Sequence, residues 1–198
     1  LEQGTPAIGI VAGSCGALVA RRRAPMKTSQ GLVDFGEVGD LTTVDVSTIV
    51  SMLDAGRVPV VAPIASDGAG GSLNINADLA AAALAGALGA SKLVLVTSAP
   101  GILRSVTDPG SLVSALSLAE LADLEAAGSF EGGMRVKAQA IRAALDRGVL
   151  RVHVVSGLDP EALLVELYTT HGSGTLVTRE PERAPEPVAT LAASTDEA

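Results

Sequence analysis

The stretch from Leu73 to Leu88 constrains the fold most, because a short polar turn runs directly into a helix that has almost no polar side chains. The residues after Asp78 are leucine and alanine with a single glycine (Leu79, Ala80, Ala81, Ala82, Ala83, Leu84, Ala85, Gly86, Ala87 and Leu88). A helix that is apolar on all sides is normally buried. Gly89 then ends the helix, and Lys-Leu-Val-Leu-Val-Thr at 92–97 has the pattern of a buried strand. This order of elements predicts an α/β fold.

Asn74, Asn76 and Asp78 alternate with apolar residues just before this helix. Each can accept a hydrogen bond from a free amide at the helix start, and the Asp78 charge also complements the helix dipole. Three such side chains exceed what capping requires, so at least one is expected to face something else. In α/β proteins ligands collect at helix N-termini beyond the ends of strands. We therefore predict a ligand site here.

Composition narrows the function classes. The chain has 14 Lys and Arg against 22 Asp and Glu, a net charge of −8, and only 2% aromatic residues, so it lacks the basic surface and stacking groups of a nucleic-acid-binding protein. No apolar run is long enough to span a membrane and no signal peptide opens the sequence. The single Cys15 cannot form an internal disulfide. We expect no nucleic-acid or membrane partner and a cytoplasmic location.

The remaining pattern predicts alternating strands and helices. Strands are predicted at 7–11, 57–64, 92–97, 151–155 and 174–177, and helices at 44–55, 117–126, 134–147 and 160–168. The helix at 44–55 has an apolar stripe made of Val46, Ile49, Val50 and Leu53. The strand at 57–64 is expected to be buried, and its spacing behind this helix implies a parallel crossover. An exposed hairpin is predicted within 18–38. Ser117 and Glu120 have the spacing of a capping box. From Pro181 onward the prolines and charges without periodicity predict a disordered tail over 181–198.

Lys137 is the second candidate site residue. It follows Gly132 and Gly133 near the start of a predicted helix, where a cation opposes the helix dipole. The buried stripe of this helix is expected at Met134, Ala138, Ile141 and Leu145, which puts Lys137 at the border of the core. The free amides of a glycine-led helix start suit an anion. An ordinary solvated lysine remains the alternative.

Other chemistries have little support in the sequence. There is no Gly-x-x-x-x-Gly-Lys-Ser/Thr loop and no Gly-x-Gly-x-x-Gly fingerprint. His153 lies in a predicted strand and His171 in a loop, with no further His or Cys at ligand spacing, so we predict no protein-bound metal.

With these residues in view, the chain resembles the amino-acid kinase family from about Ala7 to Val177. The resemblance is strongest at Val-Pro-Val-Val-Ala-Pro-Ile (58–64) and at Asn-Ile-Asn-Ala-Asp (74–78) with its alanine-rich helix. Pro-Gly-Ile-Leu (100–103), Asp-Pro-Gly-Ser-Leu (108–112) and Gly-Gly-Met-Arg-Val-Lys (132–137) follow in the family's order. The resemblance implies an open, mostly parallel αβα sandwich of the carbamate kinase-like type. It also implies a substrate lobe over 1–89 and a nucleotide lobe over 90–180.

Within the family, the resemblance is to the branch that transfers the ATP γ-phosphoryl group to the side-chain carboxylate of N-acetyl-L-glutamate in arginine biosynthesis. It implies that Lys137 stabilises the transferring phosphoryl group, that Asp78 organises the catalytic lysines, and that Asn74, with Asn76 beside it, contacts acetylglutamate. Mg²⁺ would be bound through the ATP phosphates. The implied nucleotide contacts are Ser98, Ala99, Pro100, Gly101, Ile102, Leu103, Ser129, Phe130 and Glu131. Glu166 and Gly174 match a segment that senses arginine in feedback-inhibited members, with a surface glutamate as the alternative reading.

The family also begins with a strand bearing another catalytic lysine, a glycine-rich loop and a substrate-binding arginine, and none of these lies ahead of Ala7. Together with Leu1 in place of Met, this predicts a fold incomplete at the N-terminus and a chain that is inactive alone. A kinase of a related acylated amino acid is one alternative. A non-catalytic kinase-like module that binds arginine or a partner is another. Homo-oligomerisation is also expected from the resemblance.

Overall fold

A computed structural model describes residues 4–11, 16–29, 31–130 and 132–181. This part of the chain contains both strands and helices, as the sequence predicts, but five strands precede the first helix and three more separate the first helix from the second. They are β1 (Ala7–Ile10), β2 (Leu18–Arg22), β3 (Met26–Thr28), β4 (Gly31–Val33), β5 (Gly39–Val44), α1 (Ser47–Asp54), β6 (Val58–Val61), β7 (Ile64–Ser66), β8 (Ser72–Asn74), α2 (Ala77–Ala87), β9 (Lys92–Thr97), β10 (Ala115–Ser117), α3 (Leu118–Ala126), α4 (Gly133–Asp146), β11 (Arg151–Ser156), α5 (Ala162–Tyr168) and β12 (Thr175–Thr178).

The N-terminal part contains a parallel β1–β6 pair and a four-stranded sheet of order β5-β2-β7-β8. The connection from β1 to β6 passes through α1, so the predicted parallel crossover is present. Strand β2 pairs antiparallel with β5 and parallel with β7. Leu18 and Ala20 of β2 pack with Ala65, Leu73 and Ile75 in one core cluster.

The C-terminal part is a four-stranded sheet of order β10-β12-β11-β9 with helices on both faces. Val152 and Val154 of β11 pack in a core with residues of α2 and α4, whereas the alternate residue His153 contacts Glu166 of α5 on the opposite face. The αβα class is therefore confirmed. Parallel pairs (β9–β11, β10–β12) and the antiparallel β11–β12 pair occur in the same sheet.

Helix α2 begins at Ala77 with Asn76 as its N-cap, as the polar turn predicts. The Asn76 side chain accepts a hydrogen bond from the Leu79 amide, and Gly89 beyond the helix has a φ of 61°. The small residues of α2 permit a close crossing with α4. A Cβ added at Gly86 would lie only 2.5 Å from Cβ of Arg147, which is too short for any larger residue at this position. The predicted capping box of α3 is also present, with Ser117 accepting from the Glu120 amide and Glu120 accepting from Ser117.

Several expectations are wrong in detail. The region 57–64 is two strands rather than one, and Val58 and Val60 are exposed rather than buried. Only the β3–β4 part of 18–38 is an exposed hairpin, because β2 lies inside a sheet. On α1, Ile49 is buried, whereas Val50 is 40% exposed and Leu53 is 47% exposed. Strands β5, β8 and β10 have no counterpart in the prediction.

Residues 182–198 of the predicted tail, and Cys15, lie outside the described residues. Among the residues that are described, no helix combines the length and apolar character that a membrane crossing requires.

Candidate active site

Lys137 and Asp78, which are 59 positions apart in the sequence, meet in an ion pair. Lys137 Nζ donates to both carboxylate oxygens of Asp78, at 2.9 Å to Oδ1 and 3.0 Å to Oδ2. The Lys137 side chain is 9% exposed and that of Asp78 is 25% exposed. The carboxylate neutralises an amine that is largely removed from water, and the open side of Asp78 keeps the pair accessible.

The topology explains why the two groups converge. Helix α2 leads into β9 and α4 leads into β11, and these two strands are parallel neighbours. The N-termini of both helices therefore lie at the edge where β9 and β11 end, which is where ligands collect in open α/β sheets. Asp78 is in the first turn of α2, and Lys137 is in the second turn of α4.

Lys137 is more deeply placed than the sequence predicts. Its expected position was the border of the core, yet it is buried beside Ala138, Ile141 and Leu145, and a solvated amine is excluded. The reason is the close α2–α4 packing, which covers the flank of α4 on which Lys137 lies. A lone buried ammonium would be strongly destabilising, so Asp78 is required to hold it there.

The two asparagines have different surroundings. Asn76 Oδ1 accepts from the Leu79 amide and so serves as the cap of α2. The backbone amide of Asn74 donates to Glu37 O, while the residue as a whole is exposed at the end of β8. Of the three polar residues in the turn, one caps the helix and Asp78 pairs with Lys137. The roles of Asn74 and Asn76 toward a substrate stay predictions.

The two segments predicted to contact a nucleotide come together at a single apolar pocket. The pocket has a volume of about 130 Å³. Its lining residues are Ala99, Gly101, Leu103, Val106, Ser129, Phe130 and Met134. Ser98, Pro100 and Ile102 do not line it; Ile102 is fully buried beneath the loop. Glu131 lies outside the described residues.

Val106 and Met134 are pocket residues that the sequence reasoning missed. Met134 carried a signal, because it falls on the predicted buried stripe of α4. Val106 is an apolar residue, 62% exposed, in an otherwise polar loop, and that isolation is the only hint in the sequence. Met134 precedes Lys137 by three residues, which is nearly one helical turn, so the pocket and the amine lie along the same end of α4.

A second polar cluster surrounds Glu166, which is 8% exposed, so the surface-glutamate alternative is wrong. Its Oε1 lies 2.8 Å from His153 Nδ1, and its Oε2 accepts from the amides of Ser173 and Gly174, both at 2.8 Å. Burial by itself raises the pKa of Glu166. The hydrogen bonds from His153, Ser173 and Gly174, together with the charge of His153, outweigh burial and lower the pKa below its ordinary value.

Gly174 is buried next to this cluster, and a Cβ there would collide with the backbone carbonyl of Val154. His153 Nε2 is buried and has no hydrogen-bond partner among the described residues. Within the same residues no group of three or more His, Cys, Asp or Glu could hold a metal ion.

Residues 1–156 match the sequence profile described as the amino acid kinase family. The chain belongs to this family. The acetylglutamate kinase of Myxococcus xanthus (strain DK1622) is 45% identical to this family member over 188 residues, covering 92% of the chain and 61% of the relative. The chain thus spans about three-fifths of the length of the curated relatives it matches.

Solved structures agree with the family assignment. N-acetylglutamate synthase from Neisseria gonorrhoeae, complexed with coenzyme A and N-acetyl-glutamate, has a TM-score of 0.75 at 30% identity, covering 89% of this chain and 38% of that one. Carbamate kinase from Giardia lamblia, bound to AMP-PNP, has a TM-score of 0.59 at 17% identity, and the match covers 90% of this chain and 60% of that one. The second likeness is one of fold alone, and it supports the predicted carbamate kinase-like type.

Proposed function

We propose that this amino acid kinase transfers the γ-phosphoryl group of ATP to the side-chain carboxylate of N-acetyl-L-glutamate, giving N-acetyl-L-glutamyl 5-phosphate. The observation that carries the proposal is the Lys137–Asp78 pair beside an apolar pocket that both predicted nucleotide segments line. The name of the Myxococcus xanthus relative supports the choice of substrate. The related-substrate kinase and the non-catalytic module are less favoured, because the names of the most similar relatives all specify acetylglutamate.

The proposed reaction needs positioning and charge neutralisation more than proton transfer. A carboxylate oxygen of acetylglutamate forms a bond to the γ-phosphorus while the bond from that phosphorus to the bridging oxygen breaks, and ADP leaves with the electron pair. Negative charge spreads over the three equatorial oxygens in this step. Lys137 is in the second turn of α4, and both its ammonium and the free amides of the α4 N-terminus are suited to stabilise that charge.

Asp78 has two roles in this scheme. It balances the charge of the Lys137 ammonium and fixes where the amine lies, through two hydrogen bonds that leave one ammonium proton for the phosphoryl group. The purine base occupies the apolar pocket around Phe130 and Met134, and Mg²⁺ enters with ATP, bound through its phosphates. Asn74 and Asn76 face the acetylglutamate side. The residues before Ala90 form the substrate lobe, and those after it form the nucleotide lobe.

The test is acetylglutamate-dependent turnover, measured by ADP release and by trapping the acyl phosphate with hydroxylamine. It is run on this chain and on a chimera in which the chain replaces the matching segment of the Myxococcus xanthus relative. The decisive variant is Lys137→Met in the chimera. It keeps the apolar part of the side chain without the charge, and we expect kcat to fall by about 10²–10³-fold.

The matched control is Arg135→Met, which removes an exposed cation from the same helix end. This variant should stay within about twofold of the unchanged chain, as is usual for surface charges. Equal, measurable turnover in the chimera with and without Lys137→Met would remove Lys137 from its proposed role. A chimera without any activity would count against the proposed reaction.

We also propose that the segment around Glu166 and Gly174 binds arginine as an effector. A Neisseria gonorrhoeae N-acetylglutamate synthase with a TM-score of 0.73 was crystallised with coenzyme A and L-arginine. Here both Glu166 oxygens are engaged within the chain, so Glu166 shapes the backbone at 173–174 rather than offering a free carboxylate. Calorimetric titration should find arginine binding that Glu166→Gln weakens at least tenfold; titrations without heat in the unchanged chain would refute it.

A further inference from the structure

The Thr175 hydroxyl makes two hydrogen bonds in the interior of the protein. Thr175 is fully buried at the start of β12. Its Oγ1 accepts from the Ile102 amide at 2.9 Å and donates to the carbonyl oxygen of Val113 at 2.6 Å. Both partners belong to the connection between β9 and β10, so a single side chain links this connection to the sheet.

Ile102 and Val113 are the two ends of a closed loop. The Val113 amide donates to the Ile102 carbonyl at 2.9 Å, and Leu103 forms an isolated bridge with Leu112. The hydroxyl of Thr175 therefore fastens the base of the whole loop 102–113. Leu103 and Val106 of this loop line the apolar pocket, so the position of the pocket wall depends on where the base is held.

Gly101 shows how closely the loop lies on Thr175. A Cβ at Gly101 would lie 2.7 Å from Thr175 Oγ1 and 3.2 Å from its backbone nitrogen. These distances are too short for any residue with a Cβ, so the loop backbone at Gly101 packs directly against β12. Removing the hydroxyl would leave the Ile102 amide and the Val113 carbonyl buried without this partner. These two groups would find new hydrogen-bond partners only if the loop moved.

We propose that Thr175 is a positioning residue for nucleotide binding, which sets the wall of the base pocket through loop 102–113. The inference rests on the proposed function, because it takes the pocket to be the base site. A merely structural hydroxyl would stabilise β12 and leave nucleotide affinity unchanged. The two readings therefore differ in what happens to affinity at equal stability.

The experiment measures the dissociation constant of Mg·ADP by calorimetry in the unchanged chain and in three variants. Thr175→Val keeps the shape without the hydroxyl and should weaken binding about tenfold or more. Thr175→Ser restores the hydroxyl and should return the affinity to within about threefold of the unchanged chain. Val177→Ala removes buried atoms two residues further along β12 but leaves the hydrogen bonds of the Thr175 hydroxyl in place, and it should lower the melting temperature without changing affinity.

The outcomes separate this inference from the proposed function. Absence of Mg·ADP binding by the unchanged chain overturns both. Binding by the unchanged chain that Thr175→Val leaves intact, or that Val177→Ala weakens equally, overturns the role of Thr175 alone. If Thr175→Val does not fold, hydrogen exchange in the unchanged chain decides: saturating Mg·ADP should slow exchange of the Ile102 amide, and an unaltered rate contradicts the inference.

Discussion

At the scale of single residues, burial decides which charges can do chemistry. Lys137 and Glu166 were both candidates in the sequence, and the family resemblance linked Lys137 with Asp78. Neither local pattern indicated that the two side chains are buried, or that Glu166 pairs with His153. Pairing is a tertiary property, because Asp78 lies 59 positions from Lys137 and His153 lies on a different element from Glu166. Nor did the sequence single out Thr175, since its importance comes from two backbone groups more than 60 positions away.

The lowered pKa of Glu166 makes a prediction about stability and pH. Because its carboxyl is more acidic in the folded chain than in the unfolded one, its contribution is complete above the unfolded pKa of about 4.3 and is lost as pH falls through the folded value. Glu166→Gln should lower the free energy of unfolding by about 1–3 kcal/mol at neutral pH, since it removes a buried hydrogen-bond acceptor. The difference should shrink below pH of about 4.

Urea unfolding at a series of pH values measures this difference. Glu161→Gln, an exposed carboxylate immediately before α5, serves as the control and should follow the unchanged chain at every pH. Curves for the unchanged chain and Glu166→Gln that stay parallel down to acid pH would contradict the assignment of this acidic group.

At the scale of elements, local chemistry predicts helices better than strands. The starts of α2 and α3 were predictable because their caps are local, with Asn76 and Ser117 bonding residues three positions on. Strand β10 was not, since three residues carry little local pattern and their partner β12 lies far along the chain. Strand β5 begins at Gly39, whose Cβ would lie 2.9 Å from that of Leu73, and no local pattern encodes that approach.

In the candidate pocket, too, the features set by local sequence were predictable and those set by distant contacts were not. Five of its seven lining residues were named from the sequence, because the two loops carry motifs that the family resemblance covers. Val106 was not, because what brings it to the pocket is the way loop 102–113 closes on β12. The geometry of a loop thus depends on contacts that its own sequence does not display.

At the scale of the whole molecule, α2 joins the two parts of the chain. Ala80 packs in the core with Leu18 and Ala20 of β2, while Ala82 and Ala85 pack in the core of the C-terminal sheet. Neither core can open without exposing one face of this helix. Although the sequence predicts two lobes, we therefore expect them to unfold together in a single transition.

Native-state hydrogen exchange tests this expectation. Ala82→Gly weakens α2 in a fully buried position and should cost about 1 kcal/mol from helix propensity, plus the loss of one buried methyl. The decrease in exchange free energy should be the same for amides of β2 and of β11, because both cores depend on α2. Leu32→Ala on the exposed β3–β4 hairpin should change neither. A decrease confined to one of the two strands would show that the lobes open independently, and Lys137 and Asp78 would then separate whenever either lobe opened.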